Sequence, residues 1–202
     1  VLGTRARVDT LPGDSIDAVR DTLKKMVAIV RKYSGCSPDI TTVNHASALL
    51  VANGFDDTRV NRYQIIKAIQ NWVRDSIGYA HDPYLVEMIQ TPPRTLERGF
   101  GDCDDKAILL CSLLSVLGFE CEFLAVGGIG EGWDSSPSVQ NGVYDPNAIP
   151  DYSHVLCAVR FGRPTGRKPY FLDGWLTLET IVPCAAPGWF PRGTRVIMPA
   201  HI

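Results

Sequence analysis

Cys103 is the side chain in this 202-residue sequence best placed for covalent chemistry. It stands between a glycine-rich approach, Gly99-Phe-Gly-Asp-Cys103, and an apolar helical run from Asp104 to Leu117. A thiol at a helix amino terminus meets unpaired N–H groups and the positive end of the helix dipole, and both favour the nucleophilic thiolate. Gly99 and Gly101 allow a sharp turn, so that a main-chain N–H beside the sulfur can donate to a developing oxyanion. Asp102, Asp104 and Asp105 act in the opposite sense, because their charge raises a thiol above its unperturbed value of ~8.5. A histidine partner is therefore required, and acidic residues in the first turn fit best as caps turned away from the sulfur. His154 is the natural partner. It opens the apolar run His154-Val-Leu-Cys-Ala-Val159 after a long polar stretch, and a strand holds a base rigidly. Asp173 closes the next strand-like run, Tyr170-Phe-Leu-Asp173, where an antiparallel neighbour can offer a carboxylate to the far imidazole nitrogen. Cys, His and Asp stand in that order along the chain, and a thiol paired with a histidine base is suited to nucleophilic catalysis.

The elements that must position these groups follow from periodicity. Ile16, Val19, Leu23, Met26, Val27 and Val30 recur at helical spacing and predict a helix over Ser15 to Tyr33. Ser37-Pro38 opens a second helix toward Leu50, stopped by Asn53-Gly54, and a third runs from Asn61 to Ser76. Thr91-Pro92-Pro93 reads as a break. The helix from Asp104 to Leu117 is apolar almost all round, which predicts burial in the middle of the fold. Strands are expected at Glu122 to Val126, Val155 to Phe161, Tyr170 to Asp173 and Arg195 to Met198. Helices first and strands afterwards predict an α+β chain. We read one domain over 1–202, with 1–60 as a helical extension and 61–202 as the catalytic core. The polar segment Gly127 to Ser153 leads into His154, and connections this long are usually functional or mobile. Trp133 and Tyr144 within it are expected to close over a bound side chain.

Gly101-Asp-Cys-Asp-Asp-Lys-Ala107, Leu117-Gly-Phe-Glu-Cys121, His154 at a strand start and Asp173-Gly-Trp175 together resemble the transglutaminase-like superfamily of papain-like thiol enzymes. The resemblance runs from about Asn61 to Trp175. It implies a papain-like core with the nucleophile on a buried helix and an antiparallel sheet carrying His and Asp. It implies a triad of Cys103, His154 and Asp173, a protein or peptide substrate, and no cofactor. Water as acceptor gives a peptidase or amidase and a lysine-like amine gives a cross-linking transferase; both stay open, with hydrolysis the leading expectation. The family often uses an upstream side chain as a second oxyanion donor. Asn71-Trp-Val-Arg-Asp-Ser-Ile-Gly-Tyr79 is similar to the segment ahead of the nucleophile, which makes Trp72 and Tyr79 the candidates. The Gly-Asp-Cys-Asp-Asp segment is also similar to that of bacterial and prophage proteins, which implies virion or tail proteins as partners and a virion-associated location. A structural particle component that keeps the fold without turnover is the competing reading.

Composition excludes other classes. Twenty basic against 22 acidic residues leave a charge of -2, so neither a nucleic-acid nor a membrane-surface partner is expected. The longest apolar run, Ala107 to Leu117, falls short of the ~20 residues that span a bilayer. Val1 to Thr10 lacks the pattern of a secretory signal. Six cysteines without a CxxC pair are expected as free thiols in a reducing cytoplasm, with Cys111, Cys121 and Cys157 serving as packing. His45, His81 and His201 are expected to be exposed or capping. The acidic cluster lacks the spaced ligands of a calcium loop, and no metal is expected.

Overall fold

A computed structural model of the chain describes residues 6–8, 16–35, 38–55, 61–82, 87–127, 152–162, 171–172, 174–191 and 195–202. The elements in chain order are β1 (Ala6–Val8), α1 (Ile16–Ser34), α2 (Ile40–Ala52), α3 (Arg62–Ser76), β2 (Gly78–Tyr79), β3 (Glu87–Ile89), α4 (Pro92–Arg98), β4 (Phe100–Gly101) and α5 (Cys103–Val116). They continue with β5 (Cys121–Gly127), β6 (Tyr152–Arg160), β7 (Phe171–Leu172), β8 (Trp175–Leu178) and β9 (Arg195–His201).

The amphipathic spacing of α1 buries Val19, Leu23, Met26, Val27 and Val30 while Asp17, Arg20 and Lys24 face out. Asp39 caps α2 by accepting from the Thr42 N–H at 3.0 Å, two residues beyond the expected cap at Ser37. A reciprocal capping box of Asn61 and Gln64 opens α3. Thr91-Pro92-Pro93 is not a break: the prolines occupy the first turn of α4, where a missing N–H costs no hydrogen bond, and Gly99 at φ 71° ends it.

Helix α5 is buried from Asp104 to Leu114, as its apolar circumference predicts, and stops at Gly118, φ 80°. It lies between the other helices and one face of a five-stranded antiparallel sheet ordered β7-β8-β6-β5-β9. Phe123, Ala125, Val155, Cys157 and Val159 pack toward α5, and Leu124, Val126, Leu156, Ala158 and Trp175 form a smaller cluster on the opposite face. Val19, Leu23 and Leu49 share one core with Ile108 and Leu109, so the helices ahead of residue 61 pack directly on the nucleophile helix. Two short pairs, antiparallel β1-β3 and parallel β2-β4, stand apart from the sheet.

Two expectations change here. Gly127 belongs to β5, and Tyr152 and Ser153 belong to β6, so the connection is shorter than Gly127 to Ser153. Trp133 and Tyr144 lie outside the described residues. The strand beside β6 is β8, with β7 at the edge beyond it, so the run ending at Asp173 does not neighbour the histidine strand. Among the described residues no helix is long and apolar enough to cross a membrane.

Candidate active site

The nucleophile segment is built from the backbone outward. β4 runs parallel to β2, with the Gly78 N–H donating to Gly99 O at 2.8 Å and the Ala80 N–H to Gly101 O at 3.1 Å. Asp102 then caps α5, its carboxylate accepting from the Asp105 N–H at 3.1 Å, and Cys103 becomes the first helical residue. Asp105 turns back and accepts from the Gln90 N–H at 2.5 Å and from the Gln90 side-chain amide. Gly101 is required by this fold-back: a Cβ there would lie 2.5 Å from Asp105 Cβ and 2.7 Å from its Oδ2. Gly101→Ala is therefore expected to destabilise the chain by about 1–3 kcal/mol, read from the urea midpoint.

Asp102 caps α5 as expected, while Asp105 braces Gln90 instead. Asp104 does not turn away, because the partly buried Cys103 thiol donates to its Oδ1 at 3.4 Å. Burial pushes Cys103 well above the ordinary thiol range, and the charges of Asp104 and Asp102 push it further. The Val155 N–H, which donates to the sulfur, opposes them without cancelling them. The resting nucleophile is thus a neutral thiol that meets β6 within one residue of His154.

His154 is buried and faces Val126 across the β5–β6 ladder, which shifts register between Val126 and Gly127. Such irregularities re-aim side chains at strand ends. Its Nε2 lies 2.8 Å from Oε2 of Glu179, a fully buried carboxylate just past the end of β8. Burial raises Glu179, but the hydrogen bond and charge of His154 and the N–H groups of Ile181 and Val182 outweigh it and hold the acid below its ordinary value. An ionised carboxylate only accepts, so Nε2 carries a proton, and Nδ1 is the nitrogen left to exchange one with the nucleophile. Helix α3 fixes this acid: Gln70 Nε2 donates to Glu179 O at 2.8 Å and to Ala185 O at 3.1 Å, and Arg74 also donates to Ala185 O, at 2.8 Å.

The carboxylate on His154 is therefore Glu179 in the position expected for Asp173. Asp173 itself lies outside the described residues. Its neighbour Gly174 accepts from the Phe161 N–H at 3.0 Å, at the end of β6 remote from His154, on the order of 20 Å away at strand rise. Glu179 escaped the sequence reading because Trp175-Leu-Thr-Leu-Glu-Thr-Ile-Val182 looks like an ordinary alternating strand. A lone acid amid apolar residues was the only signal.

Lys106, one turn along α5, is buried and donates to Ile77 O at 2.6 Å and Arg74 O at 3.2 Å, tying the end of α3 to the nucleophile helix. Burial lowers it from 10.5 to about 8, against the opposing charges of Glu179 and Asp75. Between those values the unfolded chain binds more protons than the folded one, so this group's contribution to stability rises with pH. Lys106→Met is expected to be destabilised at about pH 7 through its lost hydrogen bonds and to lack that rise toward about pH 10, checked by urea midpoints against the parent.

The two oxyanion candidates separate. Tyr79 pairs with Gly101, two residues before the nucleophile. Burial first, then the charge Cys103 carries as a thiolate and those of Asp102 and Asp104, push its phenol up, so it stays a donor within electrostatic reach of the sulfur. Its hydroxyl lies 3.4 Å from His81 Nδ1. Trp72 instead packs on His45, ring centroids 4.3 Å apart, between α3 and α2. His81 and His201 are exposed as expected, His201 pairing with Glu122 at 2.8 Å, whereas His45 is half-buried and lowered by burial.

Residues 51–178 match the family model of the transglutaminase-like superfamily. No curated protein matches the chain. Among solved structures, a Parabacteroides distasonis protein described as a "putative protease" is 14% identical with a TM-score of 0.47, covering 78% of this chain and 26% of that one. A Cytophaga hutchinsonii protein described as a "putative cysteine protease" is 14% identical with a TM-score of 0.45, covering 93% of this chain and 50% of that one. The chain thus spans half or less of the length of either structure.

Proposed function

The chain belongs to the transglutaminase-like superfamily, and we propose that it is a cysteine-dependent acyl-transfer enzyme that cleaves peptide or isopeptide amide bonds. The observation that carries this reading is a cysteine that opens a buried helix, together with a buried histidine whose Nε2 is held by a buried, ionised Glu179. The thiol is neutral at rest, so proton transfer belongs to the chemical step. As Cys103 Sγ bonds to the amide carbon, its proton passes to His154 Nδ1 and the carbonyl electrons move to oxygen. The Cys103 N–H, at the first position of α5 where the helix itself offers no acceptor, donates to that oxyanion, and the Tyr79 hydroxyl is the second donor. Collapse breaks the C–N bond, and the imidazolium returns its proton to the leaving amine. Water then adds to the thioester with His154 as base, and the acid leaves as the thiol is restored. Glu179 stays ionised throughout and fixes the ring.

An amine in place of water gives cross-linking by the same steps. The test is to incubate the chain with glutamine-bearing peptides and a peptidyl electrophile, quench in acid and map adducts. A Cys103 acyl or electrophile adduct is expected, and the ratio of hydrolysed to amine-linked product distinguishes peptidase from transferase. Absence of any Cys103 adduct in the folded chain would leave the structural, non-catalytic reading.

A further inference from the structure

Cys111, Cys121 and Cys157 take no part in the site above, yet their sulfurs all lie within 4.8 Å of one another, fully buried. Cys111 is on α5, about two turns past Cys103, and Cys157 is on β6, just past His154. Phe123 faces Cys157 across the ladder, so Cys121 lies diagonal to it on the sheet face that α5 covers. The Cys111 and Cys157 sulfurs approach to 2.8 Å. A disulfide of ~2.05 Å needs only a small further movement of each side chain. A metal fits the cluster less well. Thiolates about 2.3 Å from a tetrahedral zinc stand farther apart than the Cys111–Cys157 pair, and no fourth His, Cys, Asp or Glu joins the three among the described residues. Three thiolates would also carry negative charge into a core of Ile108, Leu109, Phe123 and Val159.

We propose that Cys111 and Cys157 form a redox pair whose disulfide fastens the helix carrying the nucleophile to the strand carrying the histidine. The bond forms before the helix closes over the sheet. One protein thiolate attacks a low-molecular-weight disulfide and displaces a thiolate; the second attacks the protein-side sulfur of the mixed disulfide and displaces the other. The two protein thiols lose two electrons and two protons, and one glutathione disulfide becomes two glutathiones. The closed bond spans a long stretch of chain and so constrains the unfolded state as well as the site. Its existence does not depend on the proposed reaction; only its consequence for the geometry of Cys103 and His154 does.

The test is to unfold and reduce the full chain, refold it across a range of glutathione to glutathione-disulfide ratios, quench in acid, alkylate and map the peptides. A Cys111–Cys157 peptide pair is expected at oxidising ratios, lost on adding dithiothreitol, with Cys121 alkylated throughout and the linked form melting at higher temperature. Because Cys103 also oxidises, mapping and melting are the readouts in place of turnover. Free Cys111 and Cys157 at every ratio, a bond to Cys121, a linked form that melts no higher, or zinc or copper bound stoichiometrically by elemental analysis would each overturn the proposal.

Discussion

Glu179→Gln is expected to lower kcat/KM by about 10³–10⁴-fold while the chain stays folded. The amide preserves size, but its NH₂ group donates where the carboxylate accepted. The favoured response of His154 is to present an unprotonated Nε2 to that amide, which moves the proton to Nδ1, the nitrogen needed as base. The imidazolium formed during attack also loses its counter-charge. Asp173→Asn is the paired control and is expected to keep activity near the parent, since its neighbour Gly174 sits at the far end of β6. The pH dependence carries a second signature. Glu179 is held below its ordinary acid range, so it contributes stability at neutral pH that is lost as pH falls through its folded value. Glu179→Gln should lack that acid-dependent loss, visible as a smaller drop in urea midpoint on acidification. An active Glu179→Gln beside an inactive Asp173→Asn would return the role to the aspartate.

What the sequence made legible, and what it did not, divides along physical lines. The place of Cys103 was readable because three local signals coincide there: glycines that permit the turn, an acidic cap, and a helix with no polar face to expose. β5 and β6 were readable because their apolar runs end in turn residues. The order β7-β8-β6-β5-β9 is not a local property, and it decided which carboxylate could reach His154. Tyr170 to Asp173 comes next in sequence after β6, yet Trp175–Leu178 takes the place beside it and carries Glu179 toward the histidine. α4 was hidden for a different reason. Two prolines stop a helix from its interior and start one from its first turn, and only the following Gly99 tells the cases apart. Trp72 and Tyr79 were equivalent as aromatics on a segment, and the parallel pairing of Tyr79 with Gly101 is what separates them.

Cys103→Ala is expected to bring turnover to background, a loss on the order of 10⁴–10⁶-fold, with little change in stability because the site is only partly buried and the substitution small. The more discriminating variant is its neighbour. Asp104 accepts the thiol proton at 3.4 Å, and its charge is the largest electrostatic contribution, after burial, to raising Cys103. Asp104→Asn removes that charge and keeps the shape, so the thiol must fall toward the ordinary range and the thiolate fraction at neutral pH must rise, about tenfold for each unit recovered. Iodoacetamide labelling mapped to Cys103 across pH should give a parent curve that climbs into the alkaline range and a variant curve displaced to lower pH. The Val155 N–H, which favours thiolate, remains in both. Equal curves would mean that Asp104 is not ionised beside the sulfur, and a slower variant would mean that it delivers the thiol to the electrophile. Either result would remove the assignment of a neutral resting nucleophile held by its own helix cap, and with it the need for His154 to take the proton during attack.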